Sequence, residues 1–288
     1  MKSLMFALPG PVHVADFGGS GPPIILLHGI GGSHTNWWSV APQLTDHGRV
    51  LAVDLVGCGY TPPAGRHCRL STNQQMLEQL IARLGEPVTL VGHSMGGLLA
   101  LLTTAAATVP IRRLVLLDPS QRGEAPAFNP TFLAQLILPS IPLIGDELLH
   151  RTIGPKTAAE RIRDGWNVSM VDQSRVDPAA RHAAEQMAMF WLNQPWHRSS
   201  IATAIASTGR ALIDPKRYER AVDTNHAPTL LLHGSNDHLI SRGKIEQLAA
   251  RRPDWTTHFF DDVGHNPHLE AAPAVVSQLT AWFETSGV

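Results

Sequence analysis

The sequence predicts an α/β protein, with a mostly parallel twisted sheet flanked by helices. Two observations predict this fold class. Short apolar runs alternate with longer segments of helical spacing, which is typical of parallel strands joined by crossover helices. Several of these runs lack polar alternation, as strands buried on both faces do. With 288 residues, 43% of them hydrophobic, the chain is long enough for one large sheet with an inserted domain.

The first part of the chain contains a regular series of predicted strands. The earliest predicted strand precedes a glycine-rich turn, and each later one ends at a polar or glycine-rich segment. These strands are Val12–Phe17, Ile24–Leu27, Val50–Val53, Val88–Val91 and Leu114–Leu117.

Two predicted helices lie between these strands. Ser71–Leu84 has helical spacing, with Ser71 as its expected N-cap. Met95–Ala107 is rich in alanine and leucine and directly follows the turn after Val88–Val91.

The strand pattern stops between residues 121 and 225, where only helical patterns occur and prolines mark several of their ends. We interpret residues 121–225 as a helical cap inserted into a core domain formed by residues 1–120 and 226–288. The strand and helix pattern then resumes with Thr229–Leu232, Ser241–Ala250, Thr257–Phe260 and Ala272–Phe283.

Composition excludes several classes of partner. The net charge is −1 and no block of lysine or arginine occurs, so no nucleic-acid partner is expected. The apolar run at the N-terminus is shorter than a signal-peptide core, and no stretch reaches the roughly 20 apolar residues of a membrane helix. We therefore expect a soluble, cytoplasmic monomer or homodimer without stable membrane insertion, acting on a small-molecule substrate. Cys58 and Cys68 are interpreted as free thiols, with a local bridge as the alternative.

The strongest chemical signal is the pattern Gly-x-Ser-x-Gly at Gly92, Ser94 and Gly96. It lies between a predicted strand and a predicted helix, where a sharp turn presents a serine hydroxyl beside a helix N-terminus. The flanking glycines remove Cβ atoms that would collide in such a turn. The pattern predicts Ser94 as a nucleophile.

A serine hydroxyl needs a general base, and the base needs an orienting carboxylate. His265 follows the last predicted strand and Asp237 follows Thr229–Leu232. The carboxyl ends of parallel strands meet at one edge of a sheet, so these side chains are expected to lie together there. Asp118 also ends a strand and is the alternative acid. No metal and no cofactor are expected, because no histidine pair has the spacing of His-Glu-x-x-His.

The glycine-rich turn after Ile24–Leu27 predicts an oxyanion hole. Such a turn leaves backbone N–H groups free, and we assign the two donors to the N–H groups of Ile30 and Met95. Four side chains are expected to line the substrate pocket, although at least one of the two tryptophans is expected to pack in the fold instead. They are His34, Trp37, Trp38 and His238.

Together these motifs resemble the α/β-hydrolase superfamily, in its capped serine hydrolase branch. The resemblance rests on His28-Gly29-x-Gly31-Gly32, the segment Asp54–Gly59, Gly92–Gly97 and the residues Asp237 and His265 in that order. It implies an α/β-hydrolase fold whose helical cap is inserted after the sixth strand.

The resemblance also implies an activity. It is cleavage of a carboxylic ester, or of a related lactone or thioester, of a small and largely apolar substrate through an acyl-enzyme on Ser94. Two alternatives stay open. One is a carbon–carbon bond hydrolase or lyase that uses the same triad, although Asn266 stands where the meta-cleavage hydrolases of this superfamily carry tryptophan. The other is a receptor-like binding protein with slow or no turnover.

Overall fold

The computed structural model describes residues 1–122 and 156–286, which contain an eight-stranded sheet in the order β1-β2-β4-β3-β5-β6-β7-β8. Strands β3 to β8 pair in parallel, whereas β1 pairs antiparallel with β2, and β2 with β4. The predicted α/β class is therefore confirmed. The strands are β1 (Lys2–Leu8), β2 (Gly10–Gly18), β3 (Pro23–Leu27), β4 (Arg49–Val53), β5 (Val88–His93), β6 (Ile111–Leu117), β7 (Thr229–Gly234) and β8 (Thr256–Phe260).

Strand β1 is absent from the strands predicted by the sequence. It forms a hairpin with β2, with Lys2 opposite Asp16 and Leu8 opposite Gly10. Its residues are exposed or half-buried because β1 is the edge of the sheet. An edge strand buries too little apolar surface to show the continuous apolar run by which the central strands were found.

Helices cover the sheet, and further helices form the described part of the insertion between β6 and β7. Helix α1 begins at Leu70 with Arg69 as its N-cap, so the expected cap at Ser71 is wrong and Ser71 lies in the first turn. The described helices are α1 (Leu70–Leu84), α2 (Met95–Ala106), α3 (Ala158–Ser169), α4 (Pro178–Leu192), α5 (His197–Ile213), α6 (Pro215–Asp223), α7 (Arg242–Arg251), α8 (Pro267–Glu270) and α9 (Ala272–Thr285), with 3-10 turns at His34–Trp37, Ala41–Leu44 and Gln173–Arg175.

The core lies on both faces of the sheet. Strand β3 is buried along its whole length, and its alternate residues belong to different apolar clusters. Ile25 and Leu27 pack with side chains of α1 and α2, whereas Ile24 and Leu26 pack with α9. Complete burial of such a side chain stabilises the fold by about 1.5–3 kcal/mol. A strand buried on both faces gives a rigid base for the loops at its carboxyl end.

The described part of the insertion makes two kinds of contact with the rest of the protein. A third apolar cluster includes Trp166 of α3 and Leu269 of α8, with Trp38 packed against it. Helix α6 contacts α2, and its Val222 belongs to the main core, so the core includes residues assigned to the cap from sequence. Residues 123–155 of the predicted cap lie outside the described residues. None of the described helices is both long and apolar enough to span a bilayer.

Candidate active site

Ser94 occupies a strained turn between β5 and α2. Its backbone angles are φ 53° and ψ −118°, a conformation that costs a non-glycine residue on the order of 1–3 kcal/mol. Its N–H donates to the carbonyl of Leu117 at 3.0 Å, which ties the turn to β6. A Cβ on Gly92 would collide with the carbonyl of Gly96, and one on Gly96 would collide with the carbonyl of Leu27. The Gly-x-Ser-x-Gly spacing is therefore required by close backbone contacts.

The side chains of Ser94, His265 and Asp237 form a continuous hydrogen-bonded series. Ser94 Oγ lies 3.0 Å from His265 Nε2, and His265 Nδ1 lies 2.7 Å from Asp237 Oδ2. The other carboxylate oxygen of Asp237 accepts the N–H groups of Leu239 at 2.7 Å and Ile240 at 3.0 Å. These backbone donors fix the carboxylate, and the carboxylate fixes the tautomer and orientation of the imidazole.

The charges of this pair favour an ionised carboxylate. Burial works to raise the pKa of Asp237, but the charge and hydrogen bond of His265 outweigh it and hold that pKa below its ordinary value. Burial likewise works to lower the pKa of His265, and the charge and hydrogen bond of Asp237 raise it above its ordinary value. His265 is thus a stronger base than a free imidazole, as proton abstraction from a serine requires.

Asp118, the alternative acid, lies beside this pair without replacing Asp237. It is fully buried, and its Oδ1 accepts the N–H of Gly234 at 3.0 Å and lies 2.6 Å from Nδ1 of His233. A carboxylate oxygen of Asp118 is within 4.8 Å of ligand atoms of Asp237 and His265. Burial, and then the charge of Asp237, raise the pKa of Asp118 well above its ordinary value. Of the two carboxyl groups, Asp237 is therefore the one whose surroundings favour the negative charge.

The glycine-rich turn after β3 lies against the serine. A Cβ added to Gly29 would approach Cβ of Ser94 to 3.1 Å. His28 holds this turn, because its Nδ1–H donates to the carbonyl of Gly29 at 2.7 Å and its Nε2 accepts the N–H of Leu55 at 3.1 Å. Among the described residues, no acceptor pairs with the N–H of Ile30 or of Met95. Both N–H groups therefore remain the expected oxyanion donors.

The loop that carries His265 is held by residues that sequence reasoning did not single out. The His265 N–H donates to the carbonyl of Ser169, at the end of α3, at 2.6 Å. Nε2–H of His93 donates to the carbonyl of His265 at 2.7 Å. Glu270 accepts the N–H of Gly264 at 2.8 Å and that of Asp172 at 2.7 Å. Two of these contacts join the insertion to the histidine loop, and no local sequence pattern marks such long-range pairs.

Three of the four expected pocket residues pack against identified groups of the fold. Trp37 is completely buried in the core, with its ring 4.8 Å from that of His268, which is the packing role expected for at least one of the two tryptophans. The buried imidazole of His34 is bound to Asp54 at 3.0 Å. Trp38 packs against Phe17 and the cluster under α3. Packing thus holds the two tryptophan rings, and a buried carboxylate holds the imidazole of His34.

His238, the fourth expected pocket residue, is exposed on the loop after Asp237. Cys58 and Cys68 are both buried free thiols. Among the described residues, two groups of side chains bring possible metal ligands within 4.8 Å of one another. One is Asp118 with Asp237 and His265, and the other is His13, His34 and Asp54.

The chain is similar to several known proteins in sequence and in structure. The sequence model of the family described as alpha/beta hydrolase fold matches residues 22–272. A pimeloyl-[acyl-carrier protein] methyl ester esterase of Aromatoleum aromaticum is 27% identical and covers 86% of this chain and 92% of its own. A 2-hydroxy-6-oxononadienedioate/2-hydroxy-6-oxononatrienedioate hydrolase of Cupriavidus pinatubonensis is 26% identical, covering 91% and 87%. The structure of a thermophilic esterase from Thermogutta terrifontis superposes with a TM-score of 0.73 at 23% identity, covering 99% of each chain.

Proposed function

The chain belongs to the alpha/beta hydrolase fold family and is a hydrolase, and within that family we propose that it cleaves carboxylic esters through an acyl-enzyme on Ser94. The observation that carries this proposal is the series from Ser94 Oγ through His265 to Asp237, with contacts of 3.0 and 2.7 Å. A nucleophile within reach of a base that is itself held by a carboxylate is the arrangement that acyl transfer needs.

In the proposed first step, His265 Nε2 takes the proton of Ser94 as Oγ attacks the ester carbonyl carbon. The N–H groups of Ile30 and Met95 stabilise the tetrahedral oxyanion, and one such donor contributes on the order of 3 kcal/mol to the transition state. His265 then protonates the leaving alcohol, and the acyl group stays on Ser94. Water, deprotonated by the same histidine, releases the acid.

The substrate proposed is a small, largely apolar ester, with lactones and thioesters as related acyl bonds. The residues around the serine support this class. Ile30 is half-buried beside the oxyanion turn and Met95 is buried, and the raised pKa of Asp118 disfavours a second negative charge at the site. The esterase relative of Aromatoleum aromaticum acts on a methyl ester, which agrees with a simple alcohol as the leaving group.

A carbon–carbon bond hydrolase is the second candidate. The observation that favours it is the 26% identity, over 91% of this chain, to the dienedioate hydrolase of Cupriavidus pinatubonensis. Such a reaction would use the same serine, base and oxyanion donors, so the site geometry alone supports both. The residue after His265 is Asn266, whose Nδ2 donates to Oγ of Ser169 at 2.7 Å and is therefore engaged by α3.

The test is turnover of a series of p-nitrophenyl esters and of a 2-hydroxy-6-oxo-dienoate by the wild type, Ser94→Ala and Ser120→Ala. Ser120 is the matched control, since its backbone N–H donates to the carbonyl of Ser94 at 3.1 Å and alanine keeps this bond. We expect ester turnover that falls on the order of 10⁴-fold or more in Ser94→Ala and stays near wild type in Ser120→Ala. Faster turnover of the dienoate than of every ester would favour the second candidate. No turnover of either class would overturn both.

A further inference from the structure

A second series of serine, histidine and aspartate contacts lies at the edge of the sheet. Ser3 Oγ of β1 lies 2.8 Å from Nε2 of His13 in β2, and Nδ1 of His13 lies 2.8 Å from Oδ2 of Asp54. The same ring nitrogens face the serine and the carboxylate as in the Ser94 site. These three residues belong to β1, β2 and the loop after β4, so none is shared with that site.

Hydrogen bonds at Asp54 determine the tautomer of His13. Asp54 accepts the backbone N–H groups of His34 at 2.7 Å and Tyr60 at 2.9 Å, and both imidazoles lie against it. Burial works against its ionisation, but the hydrogen bonds of His13 and His34 outweigh it and hold the pKa of Asp54 well below its ordinary value. An ionised carboxylate only accepts, so Nδ1 of His13 carries the hydrogen. Nε2 is then the acceptor for the Ser3 hydroxyl.

From this geometry we propose that Ser3 is a second activated serine, with His13 as its base and Asp54 as the orienting carboxylate, and that it takes acyl groups from activated aryl esters. A nucleophile within hydrogen-bonding distance of an oriented base is the general requirement for such reactivity. Ser3 is exposed, whereas His13 and Asp54 are buried, so a reagent reaches the hydroxyl while the base is held rigidly.

The surroundings of His13 define the reagent class. Tyr60 packs edge-on against His13 with ring centroids 5.1 Å apart, and Phe190 of α4 packs against Tyr60 at 4.8 Å. These two rings are 41% and 36% exposed, and they form an aromatic surface next to the base. Because β1 is an edge strand, alternate backbone N–H groups along it face away from β2 and can donate to an oxyanion. An aryl ester matches both features.

The distances among His13, His34 and Asp54 fit hydrogen bonds better than they fit the ligands of a metal ion. Ligand atoms around a tetrahedral metal with bonds of about 2.0 Å are about 3.3 Å apart. The nitrogens of His13 and His34 lie only 2.8 and 3.0 Å from Asp54 oxygens, which are hydrogen-bond lengths. Two backbone N–H groups also occupy the carboxylate. These contacts are therefore hydrogen bonds to the carboxylate of Asp54.

In the proposed step, His13 Nε2 takes the hydroxyl proton while Ser3 Oγ forms a bond to the carbonyl carbon. The bond from that carbon to the aryl oxygen breaks, and the phenolate leaves with the proton returned from His13. The products are O-acyl Ser3 and a phenol, and His13 ends in its starting tautomer.

The first test uses the full chain carrying Ser94→Ala, which removes the other reactive serine. It is incubated with p-nitrophenyl acetate at neutral pH, and the adduct that neutral hydroxylamine removes is followed by intact mass. We expect one acetyl adduct, which forms about tenfold or more slowly when Ser3→Ala or His13→Asn is added. Asparagine keeps a donor for Asp54 but has no basic nitrogen. The matched control is Ser20→Ala, a change at an exposed serine in the turn after β2, which should leave the rate unchanged.

The second test keeps the buried His13 and changes only the exposed residues Ser3 and Ser20. In the Ser94→Ala chain, Ser3→Cys and Ser20→Cys are alkylated with iodoacetamide, while Cys58 and Cys68 are buried in both. We expect the thiol at position 3 to react about tenfold faster at pH 7, since His13 accepts its proton. Equal rates at the two positions, or equal acetylation of the Ser3→Ala and Ser20→Ala chains, would overturn the proposal. Because Ser94 is absent throughout, neither result bears on the proposed esterase activity.

Discussion

The backbone N–H of His265 donates to the carbonyl of Ser169 at 2.6 Å, and this bond joins the end of α3 to the loop of the proposed base. The chain makes this contact possible by placing glycine at 264, where a Cβ would come within 2.7 Å of the same carbonyl. The insertion therefore helps to set the position of the imidazole.

Gly264→Ala tests this coupling. The added methyl group must push α3 away from the histidine loop, and a small displacement of a base lowers the rate of proton transfer strongly. We expect kcat for p-nitrophenyl esters to fall about 10- to 100-fold, with a smaller change in KM. Gly243→Ala in α7 is the control, because its Cβ meets nothing within 4 Å and kcat should not change. An unchanged kcat in Gly264→Ala would mean that the α3 contact does not position His265.

Asp118→Asn and Asp237→Asn separate the roles of the two carboxyl groups. Asparagine at 118 still accepts the N–H of Gly234 and resembles the protonated acid, so kcat/KM should stay within about threefold of wild type. At 237 it removes the charge that orients His265, and kcat should fall on the order of 10³- to 10⁴-fold. Steady-state kinetics measure both values. An equal loss in the two variants would show that Asp118 carries the charge.

The pH dependence of kcat/KM follows from the raised pKa of His265. Below that pKa the imidazole is protonated and cannot accept the proton of Ser94, so activity falls as the pH decreases. We expect the acidic limb of the profile to have its midpoint above 6.5, the ordinary value for histidine. Asp237→Asn removes the charge that raises the pKa of His265. The acidic limb of its residual activity should therefore lie at lower pH than that of the wild type. A wild-type midpoint below 6.5 contradicts this account of the site.

Because His268 is buried as a neutral imidazole, we expect the protein to lose stability in acid. Burial lowers its pKa from 6.5 to about 3, and neither ring nitrogen has a hydrogen-bond partner among the described residues. Between these two values the unfolded chain binds more protons than the folded one, so the free energy of unfolding decreases as the pH falls below 6.5. This residue alone should cost about 2 kcal/mol between pH 7 and pH 5.

Urea unfolding of the wild type and His268→Phe at the two pH values measures this effect. Phenylalanine keeps a ring against Trp37 and does not titrate. The variant should therefore lose about 2 kcal/mol less than the wild type between pH 7 and pH 5. Equal losses in both proteins would show that His268 is not held neutral by burial.

Local features were predicted well from the sequence. The turn at Ser94 was found because its glycines are required by contacts within a few residues and at the adjacent strand. Central strands such as β3 were found because burial on both faces leaves a continuous apolar run. Asp237 and His265 were named from their places after β7 and β8, and the structure brings Asp237 into contact with His265 and His265 into contact with Ser94.

Features set by distant pairing were missed. The sequence offers no signal that Ser169 meets His265, because the two are brought together only when the insertion folds back. Trp37 was assigned to the pocket because it follows the oxyanion turn, yet the 3-10 turn at His34–Trp37 directs it into the core. His13 and Ser3 meet only because β1 pairs with β2, and that edge strand was itself not predicted.

The most direct test of the proposed acyl-enzyme chemistry is intact mass after incubation with one equivalent of a fluorophosphonate, with peptide mapping of the adduct. We predict one phosphonyl group on the peptide that carries Ser94, formed rapidly by the wild type and Ser120→Ala, and no phosphonyl group on that peptide in Ser94→Ala. A folded wild-type sample that forms no adduct, or a Ser94→Ala sample that forms it equally fast, would contradict the assignment of Ser94 as the nucleophile.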